Sequence, residues 1–321
     1  MFIQYLCNAL SEKFEIKLIN YSLLYPSFLF PGTTQYDQSE QVIQGFPNER
    51  LVNSINPISW IKTAHHIISE KADLVVFDWW NPFFGMCHWA MSLLVRKKYK
   101  GRILFITENF ISHEARFVDS FLTKLGLRFA DKFLALSKPV EKDLQSIAAG
   151  RPIFRSELPM FDYSLDTRFD GVAERAALGY TPDDKVLMFF GYVRKYKGLD
   201  ILLRAFLLIL KQIPEAKLLV VGEFYDKPEI YTDIVRDNGT LESVKFVNQY
   251  VPNEEVGKYF AAADVMVQPY RSATNSGILN VAYSFGVPAV VTRVGGLVEL
   301  VTDGETGILV EPESPEAIAE G

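Results

Sequence analysis

Cysteine is nearly missing: 321 residues contain two, Cys7 and Cys87. Lone and far apart, they support neither a disulfide framework nor a zinc site, and a reducing cytoplasm suits such a chain. A basic excess is missing too. The net charge of −6 has the wrong sign for gripping a phosphate backbone, which excludes nucleic acid as a partner. Long apolar runs are absent as well. The nearest to a membrane span, Leu74 to Val95, is interrupted by Asp78, Asn81, Pro82 and His88, so it reads as strand, loop and helix. Its Trp79, Trp80, Phe83, Phe84 and Trp89 pack a core in the plainer reading. Lining an acceptor cleft or touching lipid headgroups stays open for them, and with it a peripheral membrane association. Met1 to Cys7 carries no basic n-region and is not expected to be a signal peptide. No carboxylate cluster suits Mg²⁺ or Mn²⁺, His65 and His66 lack a third ligand, and no metal or cofactor is expected.

What is present is an alternation of short apolar runs with helical patterns. After residue 180 the runs are Val186–Phe190, Lys217–Val221, Val244–Val247, Val265–Gln268, Ala289–Thr292 and Gly307–Val310. Such alternation predicts a parallel, doubly wound sheet. Leu199, Leu202, Leu203, Phe206 and Leu210 recur at helical spacing and mark a core-facing helix that Pro214 ends. The first half repeats the theme, with strands expected at Glu15–Asn20, Leu74–Phe77, Arg102–Thr107 and Lys132–Leu136. Two α/β domains follow, 1–165 and 166–321, joined through the aperiodic stretch Leu158 to Gly171. The chain opens in a helical pattern, Met1 to Lys13, and closes in another, Pro315 to Gly321. A first strand and the last helices are therefore expected to be missing.

Chemistry concentrates at two loops. Gly191-Tyr-Val-Arg-Lys-Tyr-Lys-Gly198 sets Arg194 and Lys197 on a tight turn between strand and helix, where α/β folds bind anions. Some 80 residues on, Asn275-Ser276-Gly277 opens a helix with Ser276 as N-cap, and its first-turn N–H groups suit phosphate. Two phosphate-binding elements in one half point to a diphosphate, hence a nucleotide-linked substrate. Ser137 precedes Lys138-Pro139 as a helix N-cap rather than a nucleophile.

The second half resembles the donor-binding domain of a family four retaining glycosyltransferase of GT-B architecture. The resemblance covers roughly residues 180 to 318. It rests on the Gly191 to Gly198 loop, Ala282-Tyr-Ser-Phe-Gly-Val-Pro-Ala-Val-Val291, Gly295-Gly-Leu-Val-Glu299 and Asp303-Gly-Glu-Thr-Gly-Ile-Leu-Val310. It implies an α/β protein of two doubly wound, Rossmann-like domains facing a cleft. It further implies metal-independent transfer of a hexosyl unit from a UDP- or GDP-sugar to a glycan or lipid-linked acceptor, as in polysaccharide biosynthesis. Lys197 and Arg194 would neutralise the leaving diphosphate, with Tyr192 standing where the family carries an arginine. The family's paired glutamates would fall at Ala273 and Val281; Glu299 is then placed to reach the ribose or to meet the helix dipole. Gly191, Gly222 and Glu223 lie where the nucleoside diphosphate is enclosed. On the acceptor side, the loop Thr107 to Glu114 offers His113 and Asn109, with Glu108, Glu114 and Asp78 as lesser candidates. The missing glutamates motivate an alternative, a non-catalytic nucleotide-sugar-binding protein or inactive paralogue. An epimerase is a third reading, but it needs a carboxylate pair that is not evident.

Overall fold

A computed structural model describes residues 2–30, 32, 35, 46–110, 118–158 and 169–321. The chain forms two compact units that divide after Leu158.

The N-terminal unit runs α1 (Phe2–Ser11), β1 (Leu18–Leu23), β2 (Asn48–Asn53), α2 (Pro57–Glu70), β3 (Val75–Trp79), α3 (Gly85–Val95), β4 (Ile103–Thr107), α4 (Asp119–Gly126), β5 (Lys132–Ala135), α5 (Lys138–Ala148) and β6 (Ile153–Arg155). Its strands are parallel and lie in a two-stranded sheet, β1-β2, and a four-stranded sheet, β3-β4-β5-β6. Trp60 and Ala64 of α2, Phe77 and Trp79 of β3, Met91 of α3, Phe105 of β4 and Phe133 of β5 share one core, and Ile19 and Tyr21 of β1 pack on it. Local chemistry sets the boundaries. The Asn56 side chain caps α2 by accepting from Ile58 N, with Pro57 at the first position, where a missing N–H costs nothing. Asn81 and Pro82 repeat the device ahead of α3. Ser137 does stand at the N-cap of α5, but its hydroxyl makes no capping bond. The strand expected at Glu15–Asn20 is shifted to Leu18–Leu23, while β2 and β6 were not expected at all.

The C-terminal unit runs α6 (Gly171–Ala177), β7 (Lys185–Phe190), α7 (Leu199–Leu210), β8 (Ala216–Val221), α8 (Glu229–Asp237), β9 (Val244–Val247), α9 (Asn253–Ala262), β10 (Val265–Gln268), α10 (Gly277–Ser284), β11 (Ala289–Thr292), α11 (Leu297–Leu300), β12 (Gly307–Val310) and α12 (Pro315–Glu320). The expected strands are all present. They form a six-stranded parallel sheet in the order β12-β11-β10-β7-β8-β9. Helices cover both faces, so the central strands are apolar throughout, as at Leu218, Leu219, Val220 and Val221. Helix α7 buries Leu199, Leu202, Leu203 and Phe206 as expected, with Ile209 in place of Leu210. The winding reverses between β7 and β10. Chains leaving those two strands diverge to opposite faces and open a crevice at the carboxyl edge, the switch point where doubly wound sheets bind ligands.

Candidate functional site

The loop leaving β7 begins as an extension of the sheet. Val193 bridges Phe224 in parallel, donating to Glu223 O at 2.9 Å, while Tyr225 N donates to Val193 O at 3.0 Å. This zipper needs glycine on both sides. Gly191 (φ 111) and Gly222 (φ 137) lie so close that a Cβ on Gly222 would strike the Gly191 carbonyl. Lys195–Lys197 then form a short 3-10 turn. Gly198 closes it at φ 68, where a Cβ would strike the Pro269 carbonyl in the loop after β10. The loops that follow β8, β7 and β10 thus touch backbone to backbone across the switch point.

Arg271, on the loop after β10, straps this assembly together. Its backbone N–H donates to Tyr196 O at 2.7 Å. Its guanidinium donates to Lys195 O at 2.7 Å and bidentately to Asp200 at 2.9 Å for each bond, and it also meets Glu313. Arg194 and Lys197 differ: among the described residues neither takes part in an ion pair. Arg194 lies on the Tyr225 ring, Cζ to centroid 4.8 Å, and Lys197 Nζ is 5.6 Å from the centroid of buried Tyr270. Burial first, and then the Arg194 charge, push the Lys197 ammonium down to about 8. Two like charges on one half-buried turn form a site prepared for an anion.

Ser276 heads α10, and its Oγ accepts from Leu279 N at 3.3 Å and from Gln268 Nε2 at 2.8 Å. The intrahelical ladder leaves the N–H groups of Gly277 and Ile278 as first-turn donors beside it. Asn275 adjoins the cap and is half-buried. Ala273 and Val281, where the resemblance expects glutamates, are both buried. Ala273 O instead accepts from Gly296 N at 3.1 Å, and Gly295 (φ 48) leaves no space for a Cβ against that carbonyl. Glu223 is buried on the loop after β8, and Glu299 is half-buried in α11 after β11. Gly191, Arg194, Lys197, Gly222, Glu223, Asn275, Ser276, Gly277 and Glu299 therefore all follow the carboxyl ends of four neighbouring strands of one sheet.

In the N-terminal unit, Asn109 is half-buried and donates to Trp80 O at 3.4 Å. His113 and Glu114 lie outside the described residues. Asp78 is the penultimate residue of β3 and Glu108 directly follows the adjacent strand β4, and Glu108 N donates to Trp79 O at 2.9 Å. Burial, then the Glu108 charge, hold the Asp78 carboxyl well above the usual range; burial also raises Glu108. Trp79 and Phe84 are fully packed in the core. His66 meets Glu49 and Glu70. His88, not singled out from sequence, is a buried neutral imidazole, pushed down to about 3 by burial and bonded to Tyr21 Oη at 2.9 Å. Gln268, Arg271, Asp200, Tyr225 and Tyr270 were also missed. For Gln268 the signal was its place at the end of a strand; for the Arg271–Asp200 pair, 71 residues apart, there was none. Among the described residues no group of three His, Cys, Asp or Glu could hold a metal ion, and no helix is long and apolar enough to cross a membrane.

Comparison with known proteins follows the same division of the chain. Residues 184–321 match the family model described as glycosyl transferases, group 1. A D-inositol 3-phosphate glycosyltransferase of Catenulispora acidiphila is 35% identical over 170 residues, covering 50% of this chain and 40% of that protein. The chain thus spans well under half the length of the curated relatives it matches. Among solved structures, Anabaena HepE in complex with UDP superposes with TM-score 0.69 at 19% identity, covering 86% of this chain and 75% of that one. Sucrose-phosphate synthase from Thermosynechococcus elongatus gives 0.72 at 19% identity, covering 99% and 82%. These likenesses show the fold, two Rossmann-like units of GT-B type. The resemblance drawn from the motifs therefore holds: this chain is like the family four glycosyltransferases of GT-B fold, and its residues 184–321 carry the sequence of the group 1 glycosyl transferases.

Proposed function

We propose that the chain is a retaining, metal-independent glycosyltransferase that moves a hexosyl unit from a UDP- or GDP-sugar to a glycan or lipid-linked acceptor. One observation carries the reading: Arg194 and Lys197 stand on one turn after β7, among the described residues outside any ion pair, and α10 begins after the neighbouring strand β10. When the anomeric carbon–oxygen bond of the donor breaks, charge develops on the departing diphosphate. Fixed cations and helix N–H groups stabilise that charge more in the transition state than in the ground state. The acceptor oxygen attacks from the face the diphosphate leaves, and its proton passes to the diphosphate, so this chemistry asks for no carboxylate pair. Asn109 and His113 are the acceptor-side groups in this reading, and Glu223, Glu299 and Asn275 the donor-side ones. The similarity to D-inositol 3-phosphate glycosyltransferases and to the group 1 glycosyl transferases supports sugar transfer as the class.

A second reading, nucleotide-sugar binding without transfer, is favoured by the buried Ala273 and Val281 where glutamates are usual. One experiment separates the two. Calorimetry with UDP and GDP measures binding, and release of nucleoside diphosphate from UDP-glucose and GDP-mannose measures turnover. Lys197→Ala and Arg194→Ala are each expected to lower turnover by roughly 10²-fold with an unchanged circular dichroism spectrum. Unchanged turnover in either variant removes that residue from the site; binding without turnover in the unaltered chain leaves the second reading standing.

A further inference from the structure

Arg194 carries a long, rotatable side chain, and in the described structure its recorded contact is the face of Tyr225. The sheet extension explains how the two meet. Because Val193 opposes Phe224 in a parallel bridge, Arg194 opposes Tyr225. Alternation then sets Tyr192, Arg194, Glu223 and Tyr225 on one face, with Val193 and Phe224 on the other. On that other face Val193 is fully buried, and Phe224 packs edge-on against Tyr231 and Phe246. On the first face the Tyr192 and Tyr225 rings lie 4.6 Å apart at 34°, Tyr192 being 37% exposed. The platform beneath is fixed. Gly222 N donates to Val247 O at 3.0 Å, Phe224 N to Asn248 Oδ1 at 2.9 Å, and Tyr231 Oη to Asp226 at 2.7 Å.

We infer that Tyr225 is a positioning residue for the phosphate site: its ring, buttressed by Tyr192, holds the Arg194 guanidinium in place while leaving the guanidinium edge free to grip a diphosphate. The inference rests on the proposed function and adds to it the device that makes a relocated arginine work. A cation–π contact uses the flat face of the guanidinium, whereas bidentate bonds to phosphate oxygens use its N–H edge, so the two do not compete. An arginine already ordered by the ring loses less rotamer freedom when the ligand arrives.

The test measures UDP and GDP affinity by calorimetry on the full chain. Tyr225→Leu is expected to weaken the better-bound nucleotide about tenfold, the worth of one cation–π contact partly out of water. Tyr225→Phe, which keeps the ring, is expected to stay within about twofold of the unaltered chain. In an Arg194→Ala background the Leu change should have no further effect, as a device acting through Arg194 requires. Equal weakening in both backgrounds overturns the inference. So does an Arg194→Ala loss with no Tyr225→Leu loss, which leaves the phosphate site itself intact. Failure of both nucleotides to bind the unaltered chain brings down the proposed function and this inference with it, whereas an inert Arg194→Ala overturns the inference alone. Should Tyr225→Leu not fold, NMR of the unaltered chain decides. The Arg194 side-chain resonances are expected upfield under the ring current of Tyr225, and ordinary arginine shifts would overturn the placement.

Discussion

An ammonium and a guanidinium share one turn after β7 with no carboxylate between them, and this fixes how the site should respond to pH. Burial and Arg194 hold Lys197 at about 8 when the site is unliganded; a diphosphate beside it must raise that value. Just below pH 8 the lysine is protonated before and after binding, so it adds no pH dependence there. Above it, binding has to take up a proton, and affinity falls by up to tenfold for each pH unit until the raised value of the complex is reached. Calorimetry at pH 8.5 in two buffers of different ionisation enthalpy should therefore register fractional proton uptake with UDP or GDP. Uptake of zero would remove Lys197 from the phosphate contact. The turn that carries Arg194 and Lys197 was legible in sequence because two glycines bound it between a strand and a helix. The groups that make the turn rigid were not legible. Asp200 reads as an ordinary first-turn acid until Arg271 is seen to reach it, and Tyr225 reads as a loop aromatic until the Val193–Phe224 bridge sets it opposite Arg194.

Elements meet at this site through glycine, and two positions of equal φ show what the meeting is worth. Gly198 and Gly239 both sit at φ 68, but a Cβ on Gly239 would enter open space while one on Gly198 would strike the Pro269 carbonyl. Gly239→Ala should cost about 1 kcal/mol, the strain of a left-handed alanine alone. Gly198→Ala adds a backbone clash and should cost about 3 kcal/mol or more while weakening nucleotide binding, because the turn must move away from β10. Urea denaturation gives both values, and equal costs would show that the close approach of the two loops has no energetic weight. Strand legibility has a similar physical basis. The C-terminal strands were located to within a residue because they are short apolar runs between helical patterns, the central ones buried on both faces. β2, Asn-Glu-Arg-Leu-Val-Asn, is mostly polar beside a single partner strand, and β6 has three residues. Neither carries enough apolar sequence to be seen.

At the scale of the whole molecule, the alternation of strands and helices announced two parallel α/β units. It said nothing of strand order, because an apolar run names a strand but not its neighbour. The order β12-β11-β10-β7-β8-β9 brings β10 beside β7 across two intervening strands, and that adjacency joins the two loops proposed to hold phosphate, some 80 residues apart. Both lie in one unit with its own core, so nucleotide should stabilise that unit by about 2.7 kcal/mol at a hundredfold excess over Kd, enough to raise its melting temperature by several degrees. Spectroscopy can isolate the effect. All four tryptophans, Trp60, Trp79, Trp80 and Trp89, belong to the N-terminal unit, so their fluorescence reports its unfolding alone, whereas far-ultraviolet circular dichroism reports both. Saturating UDP or GDP should delay part of the dichroism transition and leave the tryptophan transition where it was. A tryptophan transition that moves by the same amount would mean that the two units unfold as one. One that moves while the rest of the dichroism stays fixed would place the nucleotide in the N-terminal unit and overturn the site at β7 and β10.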